Sequence, residues 1–411
     1  MVLLPRTWLR ISIFNLLVVS IIGVILRYKI SFYLPLVDQK HLLHGHSHFA
    51  FAGWVGQALM TLLVASLNRE AVFLKKYQYL LYINLITAYG MLIGFTTSGY
   101  NIVSIGFSTV SIINSYVFGI LFWRDLNKSK QYLTSHLWYK AAILFNIISS
   151  LGAFALSYLM AHNSTNQNYY LLAVYVFLHF QYNGWFFFVC FGVFISQIEK
   201  ITSVQGKLKT IFWLFNLACI PSYFLSALWL SIPIGGYIII AIAAIAQCVG
   251  WVMLLKIIAK NWGQLKQFFT KHGRWLLLMS SIALSIKLLL QLLSTIPELS
   301  QLAFGFRPIV IGYLHLMLLG VISIFILGYG MSSGIIKSNK YAKTGIILFV
   351  IGVIINQLML MTQGIASMNY VGIPYINELL FIAAIIMFLG LLLLNIGTHT
   401  IHFRQRELIL E

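Results

Sequence analysis

The chain has 411 residues, 60% of them hydrophobic and 9% charged, with a mean hydropathy of +0.90. A water-soluble domain carries roughly a quarter charged residues and cannot bury this much apolar surface, so a soluble fold is excluded. The formal charge of +19 does not mark a nucleic-acid partner, because the basic residues fall between long apolar runs rather than on one face of a soluble domain.

Stretches able to cross about 30 Å of hydrocarbon, about 20 residues each, fall near 8–28, 42–67, 77–97, 102–123, 138–160, 169–197, 210–230, 235–258, 274–294, 307–332, 342–361 and 376–398. The sequence therefore predicts an all-α polytopic bundle of twelve transmembrane helices, a single membrane domain over 1–411 with short loops and no appended soluble domain. Arg6 and Arg10 precede the first run as they would in a signal peptide, but that run is too long and no A-x-A-like cleavage site follows. It is counted as helix 1. Of the basic residues, 22 lie before helix 1, after helices 2, 4, 6, 8 and 10, and in the tail, against 4 (Arg27, Lys29, Lys40 and Arg307) after odd-numbered helices. This excess marks the cytoplasmic side, so both termini are expected in the cytoplasm and every even-numbered helix runs inward. Cys190, Cys219 and Cys248 lie singly inside apolar runs and offer neither a disulfide framework nor a CxxC site.

The histidines carry most of the chemical information. Helix 2 opens with HLLHGHSHFAFAGW, which holds His41, His44, His46 and His48. Helix 6 carries His179 about ten residues, or ~15 Å, from its outer end, and helix 10 carries His315 ~12 Å past Arg307. All three sites lie in the outer half of the membrane on helices of one direction. On helix 2, His44 and His48 stack on one face while His46 points roughly 200° away. A lone membrane histidine is more often a hydrogen-bonded packing residue, and four at a surface can form a solvated collar. The common depth and direction on three helices favours an intramembrane metal or haem site, since neutral imidazole is a good ligand for iron, copper and zinc. Gly53 and Gly56 leave room for a flat group or a neighbouring helix. Arg307 is placed either to pair with a haem propionate or to anchor its helix at the interface.

Lys287 is the one charge near the centre of a helix, with Ser281, Ser285 and Gln291 as a polar path beside it and a cofactor anion or a backbone carbonyl as alternative partners. Of the 8 acids only Glu378 approaches the membrane interior, so redox-linked proton pumping is not expected. His136, His162, His272, His399 and His402 fall in or beside loops and read as surface residues.

Histidines on helices 2, 6 and 10 are spaced by four helices, consistent with three four-helix arcs. Together with the helix count and cytoplasmic termini, this resembles the catalytic subunit of haem-copper oxidases and nitric oxide reductases. HGHSHFAFAGW also resembles the opening motif of the NnrS family, membrane haem- and copper-containing proteins linked to nitric oxide metabolism, and YLHLMLLGVISIFILGY its later histidine helix. The resemblance implies a b-type haem with His44 or His48 and His315 as axial ligands and Arg307 beside it. It implies copper or a second iron held by His41, His46 and His179. It further implies a bacterial inner membrane, an electron-donor protein or quinol, and a diatomic gas, nitric oxide or dioxygen, bound or reduced, or else a relay of electrons.

The chain also departs from the oxidase pattern. Helix 7 carries no histidine pair, helix 10 has His315 alone, and four residues after His179 stands Asn183. Two other readings stay open, a twelve-helix secondary transporter and a factor that hands over copper or haem.

Overall fold

A computed structural model describes residues 3–67, 71–128, 133–201, 204–230, 232–299, 306–336 and 339–410. Long apolar runs inside a bilayer satisfy their backbone only within themselves, and the result here is a succession of helices with no strand among the described residues. They are α1 (Pro5–Ser31), α2 (Gln39–Ser66), α3 (Ala71–Ser98), α4 (Ile102–Asn127), α5 (Thr134–Ala161), α6 (Gln167–Ile198), α7 (Gln205–Cys219), α8 (Ile234–Lys260), α9 (Lys271–Leu293), α10 (Arg307–Ser332), α11 (Lys340–Met368) and α12 (Ile376–Leu410). Eleven are long and apolar enough to cross a membrane. The exception is α7, which stops after 15 residues. Pro221 ends it, lacking an N–H and clashing with the preceding turn, and the chain continues as a 3-10 segment, Pro221–Ser226.

The chain sorts into two compact units, Met1–Phe118 with Thr270–Leu277 and Ser323–Glu411, and Gly119–Phe269 with Leu278–Ile322. In the first unit α12 packs on α11 and α1, α1 on α2, and α2 on α3. Glycines bring α11 and α12 to backbone contact, since a Cβ on Gly345 would stand 2.5 Å from the Gly390 carbonyl oxygen. Such small-residue seams are how helices associate in lipid, where burial of apolar surface gives no drive. Polar ties cross the same unit: Trp8 Nε1 donates to Gln78 Oε1 at 3.0 Å and Asn395 Nδ2 to the Ile13 carbonyl at 3.4 Å.

In the second unit α5 packs on α6 and α7, and α7 on α8. Trp138 is fully buried against Phe188, Phe191, Phe212 and Phe215, with ring centroids 4.9–5.9 Å apart. At the end of α6 the buried Glu199 accepts from Ser135 N at 3.2 Å and from Ser135 Oγ, closing the first turn of α5. Burial pushes the Glu199 carboxyl above its ordinary range, and the bonds from Ser135 hold it part of the way back.

Candidate functional site

Helix α2 begins at Asp38, whose carboxylate accepts the His41 N–H at 2.8 Å and so fixes where the histidine-bearing turns start. The His41 ring lies over Gly99, a turn residue at φ +63°, so close that a Cβ there would stand 2.5 Å from His41 Nε2. His44 and His48 share one face as the 3.6-residue period requires. His44 stands edge-on to Tyr100 at 4.8 Å, and His48 stacks on the buried Phe95 at 4.2 Å and 12°. His46 points to the other side, with its Cε1 3.4 Å from where a Cβ on Gly23 of α1 would be. Nε2 of His44 is buried and makes no hydrogen bond.

After one further residue, Phe49, the α-helix that carries His48 gives way to a π-helix over Ala50–Gly56. Widening the turn displaces carbonyls from the regular ladder, and buried amides from neighbouring helices meet two of them. Asn15 Nδ2 donates to the Gly53 carbonyl at 2.6 Å and Asn84 Nδ2 to that of Ala52 at 3.0 Å. Asn15 Oδ1 in turn accepts from Tyr89, and Trp54 donates to Ser323 Oγ at 2.9 Å.

The same departure follows the other two histidines. In α6 a π-segment occupies Phe180–Phe186, next to His179, and in α10 one occupies Leu316–Ser323, next to His315. In each, a neighbouring side chain again meets a carbonyl: Cys219 Sγ approaches that of Asn183 at 3.9 Å, and Ser280 Oγ donates to that of Val321 at 2.8 Å. Sequence reasoning missed this plan, although a signal for it exists. Five residues after each histidine stands a glycine (Gly53, Gly184, Gly320), followed by Trp54, Trp185 and Val321. At Gly184 the need for glycine is steric, since a Cβ would meet Phe145 at 2.5 Å. π-Segments inside α-helices occur frequently at functional sites.

Hydrogen bonding separates the histidines. His179 is buried; its Nε2 faces the Cys219 carbonyl at 2.9 Å and its Nδ1 faces Asn183 Nδ2 at 3.1 Å. A carbonyl only accepts and an amide NH2 only donates, so the proton sits on Nε2 and both ring nitrogens are engaged within the protein. The carbonyl is at hand because of the break at Pro221: in the 3-10 turn Tyr223 N bonds Ile220 instead of Cys219. His179 thus makes the hydrogen bonds that a packing histidine makes. His315 is half-buried, and its Nδ1 donates to the Ile311 carbonyl of its own helix at 2.8 Å. That bond fixes the tautomer in which Nε2 carries the lone pair, the form in which imidazole ligates a metal. α6 and α10 meet where Tyr182 and Tyr313 stand edge to face at 6.4 Å. Arg307 is exposed at the first residue of α10.

The α2 histidines belong to the first unit, and His179 and His315 to the second. Among the described residues no three His, Cys, Asp or Glu side chains are gathered in a metal-holding arrangement. Of the five histidines read as surface residues, His162 is exposed and His136 and His272 are half-buried, while the side chains of His399 and His402 lie outside the described residues. No family model matches this chain, and no curated protein matches it.

Proposed function

We propose that this chain is a membrane haem protein, with His315 in one unit and, separately, the α2 pair His44 and His48 in the other as candidate iron ligands. The observation that supports this reading is the shared plan of α2, α6 and α10, a histidine with a π-segment beginning one or two residues later. Ring-nitrogen chemistry then sorts the three helices. His315 presents the ligating tautomer and His44 holds a buried nitrogen without a hydrogen bond, whereas His179 has both nitrogens occupied. A buried unsatisfied nitrogen is costly in an apolar bundle, and a metal would satisfy it. When bound, haem iron supplies one-electron chemistry and, with an open axial position, a site for a diatomic gas. The resemblance to oxidases, nitric oxide reductases and the NnrS family supports nitric oxide or dioxygen as that gas and a protein or quinol as the donor. A second metal, copper or iron, would draw on His41 and His46.

The optical spectrum of the purified full-length chain, with haem and metal analysis, tests the proposal. The expected result is a Soret band that shifts on dithionite reduction. His315→Ala loses haem, either His44→Ala or His48→Ala loses haem as well, and His179→Ala retains it. Normal haem content in His315→Ala rejects the assignment. A second reading, a secondary transporter, is favoured by the interruption of α7 at Pro221 beside the buried polar residues Ser222 and Gln247, since carriers place binding groups at broken helices. A colourless protein would favour it.

A further inference from the structure

A continuous chain of buried hydrogen bonds crosses four helices of the second unit. Lys287 Nζ on α9 donates to Gln291 Oε1 at 2.5 Å, and Gln291 Nε2 to Gln247 Oε1 on α8 at 3.0 Å. Gln247 Nε2 donates to Ser222 Oγ at 3.1 Å, and Ser222 Oγ to the Cys219 carbonyl at 3.1 Å. That carbonyl also receives Nε2–H of His179 on α6. Lys287, Gln291, Gln247, Ser222 and His179 are all 5% exposed or less. The polar path expected along α9 is realised only in part, because Ser285 bonds Trp251 and the Ser281 carbonyl instead.

Each link dictates the orientation of the next. An ammonium can only donate, so Gln291 must turn its oxygen to Lys287 and its NH2 to Gln247. Gln247 must then present its oxygen to Gln291 and its NH2 to Ser222. Ser222 must accept, which leaves its own proton for the Cys219 carbonyl. The direction of the whole chain is therefore set at one end by the charge of Lys287. Among the described residues no carboxylate acts on that charge. The ionisable groups coupled to it are the thiols of Cys219 and Cys248, from α7 and α8, and the His179 imidazole from α6. Helix α10 meets α9 through Ala283 with Gly320 and Ser280 with Val321, contacts that carry no titratable side chain.

We propose that Lys287 is a proton-binding switch whose charge state sets the polarity of this chain and, through it, the hydrogen bonding of His179. When Lys287 gives up one proton to water, its nitrogen gains a lone pair and becomes an acceptor. Gln291 turns its NH2 to the amine, Gln247 turns its NH2 to Gln291, and Ser222 donates back to Gln247 Oε1. The Cys219 carbonyl is then left to His179 alone, and that bond tightens. The heavy atoms keep their places, and two amide flips and one hydroxyl rotation carry the signal. Protons do not travel along the chain, because amides relay orientation and not charge. This inference stands apart from the haem reading, since it uses no ligand of the proposed iron.

Selective 15N labelling of histidine and lysine in the full chain, in lipid nanodiscs, tests it by NMR between about pH 6 and pH 11, a range that brackets the ordinary lysine value. In the wild type the His179 Nε2 signal, assigned by its loss in His179→Gln, moves with the same midpoint as Lys287 Nζ. In Lys287→Met it is fixed. In Gln247→Leu, which breaks the chain but keeps the lysine, Lys287 titrates while His179 stays still. The proposal is overturned if His179 does not follow Lys287 in the wild type, if Lys287 does not titrate, or if the response survives Gln247→Leu. Should Lys287→Met fail to fold, Gln247→Leu decides alone. A colourless preparation that shows the linked titration would reject the haem reading and leave this one intact.

Discussion

Asp38 holds the first turn of α2 and with it the register of four histidines. The His41 N–H is the main reason its carboxyl lies below the ordinary range, with the charge of His41 and other nearby basic groups adding to the effect. A depressed folded-state pKa contributes stability that is present above the unfolded value of about 3.9 and is lost as pH falls through the lower folded value. The thermal midpoint should therefore drop on acidification below about pH 4. Asp38→Asn, which keeps a capping oxygen without the charge, should flatten that part of the profile, and an unaltered profile would show that the cap stabilises only as a neutral acceptor. Gly99 is constrained more severely. A non-glycine residue at φ +63° costs about 1–2 kcal/mol, and here the added methyl also strikes the His41 ring. Gly99→Ala should destabilise by at least that amount in thermal unfolding, and His41→Ala in the same chain should recover the steric part but not the backbone part. Both residues lie outside what composition reveals, because the need for each comes from a side chain or a turn brought up by folding.

At the scale of elements, apolar run length located the eleven helices able to cross a membrane but not the true extent of α7, since lipid leaves the backbone of a spanning run no alternative. The face that each histidine of α2 presents was legible too: His44 and His48 share the surroundings of Phe95 and Tyr100, and His46 turns to Gly23. The π-segments were not legible. A wide turn survives only where another helix meets its displaced carbonyls, and Asn15 and Asn84 stand 38 and 32 residues away from the carbonyls they serve. Local sequence holds no record of that partnership. Asn15→Leu tests how far the π-segment of α2 depends on it. The change leaves the Gly53 carbonyl and the Tyr89 hydroxyl without their partner in a dry interior, at about 1–3 kcal/mol per group. The thermal midpoint should fall accordingly, and amide exchange over Ala50–Gly56 should rise more than over Gln57–Ser66. Equal protection in both segments would show that the π geometry stands without Asn15. The shortness of α7, by contrast, had a visible cause in Pro221, yet its consequence was hidden. The break frees the carbonyl that holds His179, so a residue whose depth and direction matched two candidate ligands is spoken for by its neighbours.

For the whole molecule, the charge pattern makes a claim that atomic contacts do not address, namely which side of the membrane each loop faces. Lys and Arg in the segments that the sequence assigns to the cytoplasm outnumber those in the segments it assigns to the outside by 22 to 4, and translocating a basic residue is opposed strongly enough for short loops to follow that bias. The loop between α5 and α6 should then lie outside and the one between α6 and α7 inside, with His44, His48, His179 and His315 in the outer half. Thr165 is exposed in the first of these loops and Lys207 is exposed in the first turn of α7, next to the second, so both suit single cysteine replacements. The native thiols interfere little, since Cys190 and Cys219 are buried and Cys248 is half-buried within α8. A membrane-impermeant maleimide added to intact cells should modify Thr165→Cys and spare Lys207→Cys until the membrane is opened. The reverse pattern would invert the topology and place the histidines toward the cytoplasm. Labelling of both positions in intact cells would mean that the helix between them does not cross. Then α6, the most deeply buried of the candidate spans at 83%, would owe its apolar length to packing inside the protein rather than to lipid.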